Sequence, residues 1–297
     1  MIQPLRTAPG LSAFGLMVFL CFIWGFTHVV AKLTAPHISM VMQSGLRSGI
    51  SALLVLIWAG ARGIPIFKRD RTLWLGIAAG ALFAGEFLFI SLGLVHTGAS
   101  RMVVFLYLAP CLTILGLHGF IPSERLSWRQ WLGILFAFGG IVLAFGDGFA
   151  AARSSLLGDL FGLIAAVLWA ATTVLIRVTQ LSTISASKVL FYQLAVTAVL
   201  LPVASIWLGE PGIVSITPLV ILSLIYQSAI VSFASYLAWF WLLTRYLATR
   251  LSVFSFLTPL FGVVAGVVVL HEPLRPIFLG AVALVGMGIY LVNQPKS

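Results

Sequence analysis

The sequence contains very little charge. Only 8% of its 297 residues are charged, whereas 61% are hydrophobic, and the mean hydropathy is +1.14. A soluble domain carries about 25% charged residues, which cover the surface that faces water. This composition therefore predicts an all-α integral membrane protein. Intrinsic disorder is excluded, because disordered segments combine low hydrophobicity with high net charge.

Acidic residues and cysteines are also scarce. The sequence has seven Asp and Glu and 17 Lys and Arg. The basic residues are dispersed between apolar runs, which argues against a nucleic-acid partner. Cys21 and Cys111 both lie inside apolar runs, so they predict neither a disulfide framework nor a metal site. The chain has no Gly-rich phosphate loop and no group of catalytic carboxylates. We therefore expect no enzyme activity, no cofactor, no metal and no attached ATP-driven motor.

Long apolar runs dominate what is present. A helix needs about 20 mainly apolar residues to cross the hydrocarbon core of a membrane. The first run is too long for the apolar part of a cleaved signal, so we interpret it as a retained helix. The candidate spans are 12–31, 40–60, 73–95, 100–119, 130–149, 157–176, 188–208, 217–243, 249–270 and 276–293.

The distribution of Lys and Arg predicts the orientation. With an even number of spans, both termini lie on one side of the membrane. Twelve of the 17 basic residues then fall on the side of the termini, four fall on the other side, and Arg47 lies within a span. Because cytoplasmic loops carry the excess of Lys and Arg, both termini are predicted to be cytoplasmic.

The chain contains an internal repeat. Ala99-Ser100-Arg101 precedes Pro110 in the first half, and Ala248-Thr249-Arg250 precedes Pro259 in the second. The spacing from arginine to proline is nine residues in both cases. Such self-similarity indicates two related units.

The repeat divides the chain into residues 1–150 and 151–297, each with five spans. Trp24 and Trp169 occupy matching places in spans 1 and 6. Because five is an odd number, the second unit crosses the membrane upside down. Two inverted five-helix repeats around a central cavity are typical of secondary transporters, which expose one site alternately to either side.

These motifs resemble the EamA branch of the drug/metabolite transporter superfamily, over about residues 12–293. Gly85-Glu86, Leu106–Pro110 and Leu168–Ala171 resemble the aromatic amino-acid exporter (YddG-type) group, which often has Trp where Ala109 stands here. The resemblance implies ten helices around a central cavity. It also implies export of amino acids or other small metabolites across the bacterial inner membrane.

Two ionisable residues within the spans are candidates for the chemistry. Glu86 lies in span 3, roughly 14 Å below the outer surface, and Arg47 lies at a similar depth in span 2. Charges at this depth are costly and are therefore usually functional. We expect the two to approach each other, directly or through water. Glu86 is predicted to bind a substrate ammonium group or to couple protons, and a structural ion pair is the alternative for Arg47.

Aromatic residues near the span centres are predicted to line the cavity. Trp24 and Trp169 are expected to face each other across the pseudo-two-fold axis, and Tyr107, Tyr236 and Trp239 to complete the wall. Such a wall suits apolar side chains and cations. The alternative role for these aromatic residues is packing in the protein core.

One histidine and two prolines complete the candidate residues. His28, one turn from Trp24, is predicted to be a hydrogen-bonding residue of the cavity or a histidine at the membrane interface. Pro110 and Pro259 are predicted hinges, with static kinks as the alternative.

The sequence thus predicts a secondary transporter that exports small amphipathic metabolites, above all large neutral or aromatic amino acids. A multidrug or cationic-compound exporter of the same fold, a membrane-embedded enzyme and a non-transporting scaffold remain as rivals. Substrate and membrane lipid are the expected partners. Ten helices form a complete two-repeat unit, so a monomer suffices, and a homodimer remains open.

Overall fold

The computed structural model describes residues 10–68, 70–151, 155–271 and 276–294, and these residues are almost entirely helical. Within them, nine segments are long and apolar enough to span a membrane, and a tenth apolar helix, Ile277–Asn293, is shorter. The predicted all-α membrane fold with ten helical spans is therefore confirmed.

The helices follow the predicted spans closely. In the first half they are α1 (Leu11–Thr34), α2 (Met40–Ala61), α3 (Leu73–His96), α4 (Ala99–Leu106), α5 (Ala109–Phe120) and α6 (Trp128–Ala151). In the second half they are α7 (Leu156–Val178), α8 (Ala186–Trp207), α9 (Pro218–Ile225), α10 (Tyr236–Leu243), α11 (Ala248–Ser252), α12 (Leu257–Leu270) and α13 (Ile277–Asn293). Short 3-10 turns lie at Pro122–Glu124, Gln180–Thr183 and Val253–Phe256, and a π-helix covers Tyr226–Ser235.

Three of the ten spans are not continuous α-helices. The fourth consists of α4 and α5, and the ninth of α11, a 3-10 turn and α12. Pro110 is the second residue of α5, and Pro259 is the third residue of α12. A proline ring clashes with the carbonyl group four residues earlier and removes a backbone hydrogen bond. Each proline therefore favours the helix break that precedes it. In the eighth span the π-helix joins α9 to α10.

The most extensive contacts between helices join the two halves. Helix α1 packs on α12, α2 on α8, α3 on α7 and α8, and α6 on α13. Each pair combines one helix from residues 10–151 with one from residues 155–294. The halves are therefore interleaved, and the cavity between them has walls from both.

Glycines allow these helices to approach closely. A Cβ atom added to Gly25 on α1 would lie 2.6 Å from the carbonyl oxygen of Thr258 on α12. A Cβ atom added to Gly133 on α6 would lie 2.8 Å from the carbonyl oxygen of Gly288 on α13. Small residues are common at such interfaces, because lipid gives helices no hydrophobic reason to associate and close packing must supply the attraction.

A buried carboxylate ties the halves together at one end of the bundle. Glu124 is 0% exposed. It accepts hydrogen bonds from the backbone N–H groups of Ala248 and Thr249, both at 3.0 Å, and from the Thr249 hydroxyl at 2.7 Å. Arg177 pairs with it at 3.0 Å and also donates to the carbonyl oxygen of Leu243. Every charge in this cluster is thus compensated.

A second ion pair fixes the loop between α2 and α3. The Nζ atom of Lys188 donates to Asp70 Oδ2 at 2.7 Å and to the carbonyl oxygen of Lys68 at 2.8 Å. The Thr72 backbone N–H also donates to the Asp70 carboxylate, at 3.0 Å. The hydrogen bond from Lys188, followed by that from Thr72, lowers the pKa of Asp70 from 3.8 to about 2.

The close approach at Gly25 generates a stability prediction. Gly25→Ala should destabilise the protein by about 1–3 kcal/mol, because the added methyl group overlaps the α12 backbone. Gly15→Ala on the same helix is the matched control, since nothing lies within 4 Å of its added Cβ. Melting temperatures in detergent measure both. Equal melting temperatures of the two variants would contradict the close packing.

The Glu124 cluster generates a second prediction. Glu124→Gln should destabilise the fold by about 3–5 kcal/mol, because Arg177 is left buried without a counter-charge. Glu210→Gln is the control. The Glu210 carboxylate is half-buried in the loop after α8 and accepts a hydrogen bond from the Ser205 hydroxyl at the end of that helix. Thermal unfolding monitored by size-exclusion chromatography compares them. A Glu124 variant as stable as the Glu210 variant would show that the cluster contributes no stability.

The Asp70 pair predicts a pH dependence. The folded-state pKa lies below the ordinary value, so the stabilisation is complete above about pH 4 and is lost as the pH falls towards 2. Asp70→Asn should therefore lower the melting temperature at pH 7, and its difference from the wild-type protein should shrink between pH 4 and pH 2. If the difference in melting temperature between Asp70→Asn and the wild-type protein stays constant down to pH 2, the ionised Asp70 carboxylate is not its cause.

Candidate functional site

A large cavity of about 220 Å³ lies between the two halves, and a second cavity of about 600 Å³ lies between α3 and α8 beside the α2–α3 loop. The wall of the cavity between the halves includes residues of α1, α3 and α7, and also Arg47 on α2 and Gln193 on α8. Arg47 on α2 was a candidate from the sequence, whereas the contribution of Gln193 on α8 was not predicted. The cavity is the part of the described structure where side chains of most spans converge.

The structure brings most of the predicted site residues to this cavity. Its wall contains Trp24, Arg47, Glu86, Tyr107, Trp169, Tyr236 and Trp239. The side chain of His28 lies outside the described part of the structure, although its backbone belongs to α1. Pro110 and Pro259 are not among the lining residues, but the helix breaks beside them supply Tyr107 and Ser255 to the wall.

Aromatic rings form two groups along the wall. Trp24 packs edge-on against Tyr236 and Trp239, with ring centroids 6.2 and 5.8 Å apart. Tyr107 packs edge-on against Trp169 at 5.7 Å. Trp24 and Trp169 thus belong to different groups of rings. Together these faces offer an apolar surface that also attracts cations.

The Trp24 indole is fixed by a hydrogen bond across the repeats. Its Nε1 atom donates to the hydroxyl oxygen of Ser235 at 2.8 Å, and this hydroxyl in turn donates to the carbonyl oxygen of Val231. Both acceptors lie in the π-helix Tyr226–Ser235. The orientation of this ring therefore depends on an irregular segment that hydropathy does not reveal.

The two ionisable residues of the cavity are both largely buried. Glu86 is 8% exposed and Arg47 is 5% exposed. Among the residues that the structure describes, no salt bridge joins them, although both line the same cavity. The expected approach through water stays a prediction. The Arg47 guanidinium lies 4.5 Å from the centre of the Phe87 ring, and its Nε atom makes no hydrogen bond. A buried donor left without an acceptor costs about 1–3 kcal/mol.

Three buried glutamines also line the cavity and were missed in the sequence. Gln43 donates to the Thr34 hydroxyl at 2.7 Å, and Gln227 donates to the Ser223 hydroxyl at 2.8 Å. Gln193 is 1% exposed. Each lies within a predicted span, which is the signal that could have identified it. Uncharged polar residues within the membrane are less costly than ionised ones, so this signal is weaker.

Beyond the cavity lies the end of the bundle that holds Glu124. Thr173, Ile176 and Phe240 line both the large cavity and a much smaller one. The smaller cavity also borders Arg177, the ion-pair partner of Glu124. The side chains of Ile176 and Phe240, and beyond them the Arg177–Glu124 ion pair, thus lie between the cavity and this end of the bundle.

The sequence resembles known proteins over nearly its whole length. The model of the EamA-like transporter family matches twice, over residues 11–146 and 156–294. A solved crystal structure with 20% sequence identity superposes with a TM-score of 0.82 and covers 95% of this chain and 96% of its own. At this identity the superposition shows the fold alone.

Individual relatives are distant but cover both chains. An uncharacterized transporter of Bacillus subtilis, YvbV, is 26% identical and aligns with 95% of this chain and 92% of its own. Probable amino-acid metabolite efflux pumps of Salmonella typhimurium and Escherichia coli are each 25% identical and align with 93% of both chains.

Two matches to one transporter family, one in each half, account for the interleaved fold and for the cavity between the halves. The chain thus belongs to the EamA-like transporter family of the drug/metabolite transporter superfamily, and it is a secondary transporter rather than an enzyme.

Proposed function

We propose that this transporter exports amino acids, above all those with large neutral or aromatic side chains, across the bacterial inner membrane. The observation that carries the proposal is the cavity itself, whose aromatic wall surrounds a buried carboxylate. Such a site suits a molecule with an apolar body and a charged amine. The substrate is a single small metabolite, in keeping with a cavity of about 220 Å³.

The relatives support the same substrate class. Two of them are named probable amino-acid metabolite efflux pumps, and they align with nearly the whole chain. Export, rather than uptake, follows from these names and from the resemblance to aromatic amino-acid exporters. Lys and Arg are in excess on the loops that lie on the same side of the membrane as the termini. This excess supports the proposed orientation, with both termini in the cytoplasm.

Alternating access follows from the repeat. In the proposed cycle, the units 1–150 and 151–297 rock against each other and expose the cavity to one side at a time. Pro110 and Pro259 are the proposed hinges, since each lies beside a helix break. To open the cavity towards Glu124, this motion must separate Glu124 in the first unit from Arg177 and Thr249 in the second.

Glu86 has two proposed roles in this cycle. As a carboxylate it binds the ammonium group of the substrate. As a proton carrier it exchanges a proton for that ammonium group, which couples export to the proton gradient. Both roles require the carboxyl group, so both predict that an amide at this position fails.

A cationic-compound exporter is the second candidate. The observation in its favour is the combination of Glu86 with aromatic faces, which attracts cations. Arg47 argues against it, because a positive guanidinium in the same cavity repels a substrate that carries only positive charge.

Counterflow in proteoliposomes tests the proposed function. Vesicles loaded with unlabelled L-phenylalanine should accumulate labelled L-phenylalanine above the level of empty liposomes. Glu86→Gln should reduce the initial rate by at least about tenfold, because a hydrogen bond to a charged group is worth about 1.5–3 kcal/mol. Glu210→Gln, outside the cavity, should transport normally.

The assay needs a folded protein and a panel of substrates. Size-exclusion profiles establish that each variant is folded before reconstitution. Counterflow of several amino acids and of a cationic dye, each run separately, identifies the substrate class. Transport of the dye alone would contradict amino-acid export and favour the second candidate. Normal counterflow by the Glu86 variant would remove the role in ammonium binding, and normal net transport driven by a proton gradient would remove the role in proton coupling.

A further inference from the structure

We infer that Arg47 determines the specificity of the cavity by binding the carboxylate group of the transported molecule. The inference rests on the proposed function and deepens it. Arg47 and Glu86 together would restrict the substrate to zwitterions, with Arg47 receiving the carboxylate and Glu86 the ammonium group.

The first support is that Arg47 forms no salt bridge among the described residues, although the Glu86 carboxylate shares its cavity. The Arg47 side chain is 5% exposed and lines the cavity. Its Nε atom has no hydrogen-bond acceptor. A buried guanidinium in this condition is expected to acquire an anion, because an unpaired charge is costly away from water.

The second support is the contrast with the other buried basic residues. Arg177 pairs with Glu124, and Lys188 pairs with Asp70. The Nε atom of Arg250 also lacks an acceptor, but its two terminal nitrogens donate to the carbonyl oxygens of Asn293 at 2.8 Å and Gln294 at 3.0 Å. These three residues stabilise the fold through their head groups. Arg47 lies instead against the Phe87 ring and beside the Tyr236 hydroxyl, with no carboxylate among the described residues in a salt bridge to it.

The third support is the chemistry of the cavity as a whole. A guanidinium presents two parallel N–H groups that match the two oxygens of a carboxylate. Glu86 in the same cavity disfavours a doubly charged phosphate, because two negative groups would then share one desolvated space. One positive and one negative residue balance a zwitterion, and the aromatic wall accommodates its side chain.

This arrangement predicts how the cavity discriminates between ligands. A molecule that lacks the carboxylate leaves Arg47 unpaired, and a molecule that lacks the amine leaves Glu86 unpaired. Sites that hydrogen-bond a polar group reject analogues without it far more strongly than an apolar pocket rejects a change in size. Amines without a carboxylate should therefore bind weakly, whatever their aromatic character.

Ligand binding by the purified full chain tests the inference separately from transport. The probes are L-phenylalanine, 3-phenylpropionate, which lacks the amine, and 2-phenylethylamine, which lacks the carboxylate. Tryptophan fluorescence excited at a wavelength that the probes do not absorb reports binding, because Trp24, Trp169 and Trp239 line the cavity. Arg47→Gln and Arg47→Lys are compared with the wild-type protein.

The matched control is Arg62→Gln. Arg62 follows the last residue of the same helix, and its guanidinium lies 4.3 Å from the centre of the Trp58 ring, but it is exposed and does not line the cavity. Size-exclusion profiles check the folding of every variant. Arg47→Lys keeps the positive charge and guards against a folding defect of the glutamine variant.

The expected result depends on the ligand. Arg47→Gln should weaken binding of L-phenylalanine and 3-phenylpropionate by at least about tenfold, and should leave 2-phenylethylamine within about twofold. Arg47→Lys should give an intermediate loss, because lysine lacks the fork of donors. Arg62→Gln should change none of the three affinities.

Other results would overturn the inference. An equal loss for all three probes would show a structural role for Arg47, and no loss would show no role in binding. Absence of binding by the wild-type protein would also refute it. Counterflow separates the two proposals: transport of L-phenylalanine that is insensitive to Arg47 retains export alone. Arg47-dependent binding of 3-phenylpropionate without amino-acid transport retains carboxylate recognition alone.

Discussion

The structure depends on one constraint, which is that hydrocarbon offers no hydrogen bonds to the backbone. A segment within the membrane can leave the α-helical geometry only where it is buried in protein or lines a cavity. The irregular segments of spans 4, 8 and 9 obey this rule. The break between α4 and α5, the π-helix and the 3-10 turn of span 9 supply Tyr107, Gln227 and Ser255 to the same cavity wall. The site and the departures from helical geometry therefore occupy one region.

The charges divide according to the same constraint. Glu124 lies away from the large cavity, and its negative charge is balanced by Arg177 and by backbone N–H groups of the other half. This cluster ties two interleaved repeats together. Glu86 and Arg47 lie in the cavity wall, where no salt bridge within the described residues neutralises them. The charges that hold the fold are paired, and the charges that we propose bind the substrate form no salt bridge among the described residues.

Sequence reasoning identified the apolar spans and the aromatic wall for physical reasons. A run of about 20 apolar residues is a local property, and a repeated spacing such as that from Arg101 to Pro110 needs no knowledge of tertiary contacts. Glu86 was conspicuous because an acidic residue is rare within an apolar run. Trp24 and Trp169 were conspicuous because tryptophans usually lie at the membrane interface and these lie near span centres.

Other features of the site could not be predicted. Gln43 and Gln193 are uncharged, and helices that are apolar on all sides do not show from sequence which face turns inward. The π-helix in span 8 has no proline at its centre and no signal in hydropathy, yet Ser235 within it fixes the Trp24 ring. Arg47 was expected to approach Glu86 directly or through water, because the two lie at similar depth in consecutive spans. Both line the cavity, but no salt bridge among the described residues joins them. Depth along a helix does not specify rotation about its axis.

The sequence by itself determined the membrane fold, the number of spans and the two related halves, because apolar length and motif spacing are written along the chain. The tertiary structure decided which helices of the two halves pack together and which side chains face the cavity. It also decided that Arg47 forms no salt bridge among the described residues. These outcomes depend on the rotation and close approach of helices, which are set by contacts such as that between Gly25 and Thr258.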